Sequence, residues 1–96
     1  MSSQDQLIIP DSASNDSNSY EVLRVWIAHK GQHVSIRGGM WDDPAAWGIL
    51  LADLARHIAN SYQQDKRMDS GRALSRIKSG FDAEIESPTD KANSLP

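Results

Sequence analysis

Cysteine is absent from the 96 residues, which removes two devices that small chains use to hold themselves together: disulfides and thiolate-ligated zinc. Long apolar runs are missing too. The richest region, residues 47–59, is interrupted by Gly48, Asp53, Arg56 and His57 and falls well short of a membrane span, so no membrane partner is expected. The start, MSSQDQLIIPD, carries no basic stretch followed by an apolar core, so it does not read as a secretory leader and a cytoplasmic location is expected. Positive charge is in short supply: 10 Lys and Arg against 13 Asp and Glu leave a formal net charge of −3. Such a balance disfavours a surface that neutralises phosphates, so nucleic acid is not an expected partner. The basic residues Arg72, Arg76 and Lys78 alternate with Asp69 and Asp82 and read as a solvated helix face.

The rest of the chain is organised around one foldable region. Residues 1–19 are rich in Ser, Asp and Asn and read as a flexible N-terminal segment with one short apolar patch, LIIP at 7–10. Residues 20–86 read as a single α+β domain, and residues 87–96 as a flexible C-terminal tail. A domain of roughly 65 residues buries a small fraction of its surface and commonly needs an added staple. With cysteine gone, association with a second copy is the staple left.

YEVLRVWIA, residues 20–28, alternates like a strand, with Leu23, Val25 and Ile27 on one face and Val22, Arg24 and Trp26 on the other. HKGQ, residues 29–32, reads as the turn, with Gly31 the residue expected at positive φ. HVSIR, residues 33–37, alternates again and completes a β-hairpin. Asp43 followed by Pro44 is a helix start, an acceptor for free backbone N–H groups and then a residue with no N–H to satisfy. Trp47, Leu50, Leu51, Leu54 and Ile58 then recur at helical period. Asp69 or Ser70 caps a second helix in which Ala73, Leu74, Ile77, Phe81 and Ile85 share a face, and Ser87-Pro88 ends it. The expected fold is a two-layer α+β arrangement, a β-hairpin packed by two helices and completed by oligomerisation.

VLRVWIA, VSIRGGMWDDPAAWGILLADLARHIA and, further on, IKSGFDAEIESPTD together resemble the small bacterial proteins grouped as domain of unknown function 5076. The likeness is most specific at WDDPAAWG (41–48) and LLADLARHIA (50–59), and it covers most of the chain. What it implies is an independent folding unit. It assigns no activity, ligand or catalytic residue.

Candidate sites are few. The strand-to-helix corner at residues 37–43, with Arg37, Gly38, Gly39 and Trp41, offers glycine turns and exposed helix N–H groups to a small anion. Asp42 and Asp43 at the same helix end oppose that reading, and neither a P-loop nor a dinucleotide-binding glycine pattern is present. His29 and His33 flank the turn and His57 lies on the helix, but nothing fixes a third ligand beside them, so no metal and no cofactor are expected. No nucleophile elbow occurs, and no catalytic residue is assigned. Trp26, Trp41, Gly48 and Ala52 form the expected self-association surface, large aromatics beside small residues that permit close approach. The leading expectation is a non-enzymatic homo-oligomeric scaffold or protein-binding module, with itself and another protein as partners. Its rivals are an anion binder at the 37–43 corner and an enzyme whose site is assembled across the subunit interface, using His33 or His57 with a carboxylate from the other chain.

Overall fold

The structure is a computed structural model that describes residues 5–88. Most of the expected C-terminal tail and the first four residues lie outside the described residues. The architecture is α+β: a two-stranded antiparallel hairpin set against two main helices. In chain order the elements are α1 (Asp11–Ser14), β1 (Leu23–Ala28), β2 (Gly31–Ile36), α2 (Ala45–Lys66) and α3 (Ser70–Glu86).

The one-turn helix α1 falls within the N-terminal segment, residues 1–19, where no element was expected. Pro10 precedes it with φ −56°, Asp11 favours its first turn, and Ser19 folds back to donate its hydroxyl to the Ala13 carbonyl at 2.7 Å. The apolar patch just before it has no regular secondary structure, and Leu7 and Ile8 are almost wholly exposed.

The hairpin turn is two residues long, not four. His29 and Lys30 carry φ of 52° and 62°, and Ala28 faces Gly31. Both central residues of such a turn need positive φ because only that twist matches the flanking strands. Gly31, expected to supply it, instead opens β2. The register then pairs Leu23 with Ile36, Val25 with Val34 and Trp26 with His33. The Arg37 N–H donates to the Val22 carbonyl at 3.0 Å and extends the ladder by one rung.

At the start of α2, Asp43 accepts the Ala45 N–H on its carboxylate at 3.0 Å, while Pro44 has αR dihedrals. Cap and proline thus act as the sequence indicates, one residue from the assigned boundary. α2 ends with Arg67 in the left-handed region at φ 56°, and the N–H groups of Arg67 and Met68 both reach the Tyr62 carbonyl. A side chain at that position is strained where glycine would be at ease. Replacing Arg67 by glycine is therefore expected to stabilise the fold by about 1 kcal/mol, seen as a higher urea midpoint at unchanged slope. Asp69 caps α3 by accepting the Arg72 N–H at 3.0 Å, and α3 runs unbroken through Gly80. Within its basic-then-acidic charge order Lys78 pairs with Asp82 at 2.6 Å on the exposed side, a contact worth a few tenths of a kcal/mol.

Among the described residues, the apolar core proper consists of Ala59 on α2 and Ala73 on α3, at 2% and 3% exposure. Their small side chains let the two helices approach closely. Close backbone contacts between elements occur within the hairpin and within the α2–α3 pair. Consistent with that division, the radius of gyration is 15.5 Å, against about 12 Å for a compact chain of this length. Trp47 and Leu50 are half-buried, and the outward stripes of the hairpin and of α2 stay open.

Candidate functional site

The open end of the hairpin gathers the charged residues of one face. Even-numbered residues of β1 and odd-numbered residues of β2 point the same way, so Arg24, Trp26, His33 and Ser35 share that face, and Arg37 continues it. A shallow groove of about 330 Å³ lies here, lined by Glu21, Val22, Arg24, Ser35, Ile36 and Arg37 among others. Its two arginines are held differently. Arg24 donates its Nε–H to the Glu21 carboxylate at 3.1 Å and lies 6.0 Å from the Trp26 ring. Arg37 donates its Nε–H to the Glu21 carbonyl at 2.9 Å and lies 5.1 Å from the Tyr20 ring. Three ion pairs form among the described residues, and none includes Arg37. Its guanidinium is thus oriented by a carbonyl and a ring, and no carboxylate among the described residues forms an ion pair with it.

The residues expected at the 37–43 corner divide. Arg37 turns back across the hairpin towards residues 20–22, whereas Gly38 and Gly39 make the turn that follows, Gly39 with φ +74°. Trp41 packs edge-on against Trp47, ring centroids 5.1 Å apart at 78°. It pins the corner to the helix start, as a residue ahead of a helix cap does. Of the residues expected at a self-association surface, Trp26 is half-buried in a cleft that also touches residues 5–10. Gly48 and Ala52 are exposed, and a Cβ added at Gly48 would meet nothing within 4 Å. His29 takes the turn, His33 lies with Nε2 3.1 Å from the Ala28 carbonyl, and His57 is exposed on α2. No three His, Cys, Asp or Glu side chains among the described residues are placed to hold a metal ion.

The strand alternation places Arg24 and Ser35 on the face of Arg37, as observed, but sequence reasoning missed Tyr20 and Glu21 as companions of Arg37. A four-residue turn would set Arg24 opposite Arg37, whereas the two-residue turn sets Val22 there and carries Tyr20 and Glu21 under the guanidinium. The signal that could have found them is the His29-Lys30 pair as a tight turn, which the composition of that pair does not advertise.

Fold and groove together define a small α+β protein with an arginine held at the open end of a β-hairpin. The chain belongs to the family described as domain of unknown function (DUF5076), whose model matches residues 6–89. It is similar, at 33% identity and a TM-score of 0.76, to a solved structure described as that "of a putative pyruvate dehydrogenase from the photosynthetic bacterium Rhodopseudomonas palustrus CGA009". The match covers 100% of this chain and 98% of that one. No curated protein matches the chain. Among the described residues no helix is long and apolar enough to cross a membrane.

This likeness corrects two expectations. A non-enzymatic scaffold or protein-binding module was expected, and with it the answer that the protein is not an enzyme; a full-length relative described as "a putative pyruvate dehydrogenase" points instead towards catalysis. The expectation rested on the lack of any contiguous catalytic motif. A site assembled from residues far apart in sequence leaves no such local signature.

Proposed function

We propose that the protein is an enzyme subunit that takes a small 2-oxo acid of the pyruvate class, with its site assembled where two copies of the chain meet. The observation that carries this reading is the full-length, 33% identical likeness to the protein described as "a putative pyruvate dehydrogenase". The groove supports it. A carboxylate fits the two terminal nitrogens of Arg37, the Ser35 hydroxyl is a donor for a neighbouring oxo group, and Val22 and Ile36 offer apolar surface to a methyl. As the groove is shallow and open to solvent, a second subunit is what would exclude water from it and add groups such as His33 or His57. The working protein on this reading is a cytoplasmic homodimer or higher homo-oligomer.

Oxidative decarboxylation needs an electron sink that side chains do not provide, for instance a thiazolium diphosphate whose phosphates are held through a divalent cation by carboxylates. The described residues of one chain do not fit such a group, since no three potential ligands converge. What the chain's own residues supply is recognition: Arg37 binds and orients the acid, and the Tyr20 ring and Glu21 carbonyl keep the guanidinium in place.

Calorimetric titration of the protein with pyruvate tests this. Binding is expected, with Arg37→Ala weakening it by roughly 10- to 100-fold, the worth of a charged hydrogen-bonding partner, at unchanged thermal midpoint. Equal binding by the variant, or none by the unsubstituted protein at millimolar pyruvate, would remove the reading.

A further inference from the structure

The hairpin has a second face, and most of it is open: Leu23 is half-buried, beside a cleft that Leu23 and Val25 share with residues 5–10, and the other four residues of the face are exposed. Leu23 with Ile36 and Val25 with Val34 stack as cross-strand neighbours, with Ile27 beyond them, and no charged residue interrupts this ladder. Val25, Ile27, Val34 and Ile36 keep 47–60% of their surface exposed. On α2, Leu51, Leu54 and Ile58 recur at i, i+3 and i+7 and therefore share a face, and all three are exposed as well. α3 does not relieve them, because it meets α2 at Ala59. The whole chain exposes 8642 Å². A folded monomer of 10.6 kDa exposes about 5,500 Å², and the difference exceeds the roughly 800 Å² per partner that a standard interface hides.

We propose that a second copy of this chain covers the ladder: α2 of each copy lays Leu51, Leu54 and Ile58 on the other copy's Leu23, Val25, Val34 and Ile36. The proposal rests on the oligomer of the preceding section and names its surface. A sheet face is normally buried by a different layer, and a two-stranded hairpin is marginal without one. The lengths agree, since the helix stripe runs about 10 Å and the ladder about 13 Å. Pairing like faces would cover the ladder or the stripe but not both in one contact. The crossed arrangement covers both, and a two-fold axis makes the two contacts together and closes the assembly.

The absence of cysteine makes the test clean. Val34→Cys and Leu54→Cys are prepared separately, mixed through a dissociating step, reassociated and treated with a short bis-maleimide. Covalent dimer is expected several-fold more in the mixture than with either variant alone. Equal or greater yield from Leu54→Cys alone or from Val34→Cys alone would overturn the crossed pairing in favour of like faces, and no covalent dimer in the mixture would overturn it outright. If either variant fails to show a native far-UV spectrum, Ile36→Cys with Ile58→Cys reads the same contact. Pyruvate titration of the same mixtures separates the two readings. Crossed linkage without pyruvate binding removes the functional reading alone, and self-linkage with binding intact removes the pairing alone.

Discussion

Replacing Ala59 by aspartate is expected to abolish the cooperative unfolding of the helix pair. Ala59 is 2% exposed on α2, which packs on α3, where Ala73 is 3% exposed, so the new side chain has neither room nor partner. No cation is hydrogen-bonded or ion-paired at that contact among the described residues, and an uncompensated buried carboxylate costs several kcal/mol. That is comparable with the whole stability of a small domain, about 5 kcal/mol. Far-UV circular dichroism during a urea titration reads the outcome: a sloping loss of helix without a transition is expected. A sigmoidal transition with a midpoint close to that of the unsubstituted protein would mean that the two helices do not meet through these alanines.

The second large effect is expected at Val34. In a single chain this residue is 47% exposed on a strand, and a lysine at such a place changes stability by no more than about 0.5 kcal/mol. Covered by the α2 stripe of another copy, the same lysine must either keep an unpaired charge out of water or force the copies apart, at a cost of about 3 kcal/mol or more. For a domain of this size that corresponds to a fall of about 10 °C or more in the thermal midpoint. Val34→Lys should therefore lower the midpoint well beyond a surface effect and shift the molar mass, measured by light scattering, to that of one chain. A midpoint within two or three degrees of the unsubstituted protein, at unchanged mass, would show the ladder to be free surface.

The helices were legible in the residues because their signals are local. Asp43 and Pro44, the stripe from Trp47 to Ile58, and Asp69 with the run from Ala73 to Ile85 each act within one or two turns of backbone, where sequence neighbours are spatial neighbours. The strands were legible for the same reason. The hairpin register was not, since it depends on which of several short turns matches the strand twist, and His29 and Lys30 carry no glycine or asparagine to mark it. The site followed the register: Arg37 was visible as a candidate, but Tyr20 and Glu21 became its neighbours only through that pairing.

Family membership and the α+β class were thus contained in the amino-acid sequence, since both rest on short-range patterns of apolar period, caps and glycines. Only the tertiary structure decided that Arg37 turns from the glycine corner to Tyr20 and Glu21. It alone decided, too, that an alanine on each helix is buried where α2 packs on α3 and that Val25, Ile27, Val34 and Ile36 of the hairpin ladder lie exposed. These are outcomes of where distant segments come to rest, which no local propensity encodes, because each depends on the relative free energy of competing packings of the whole chain.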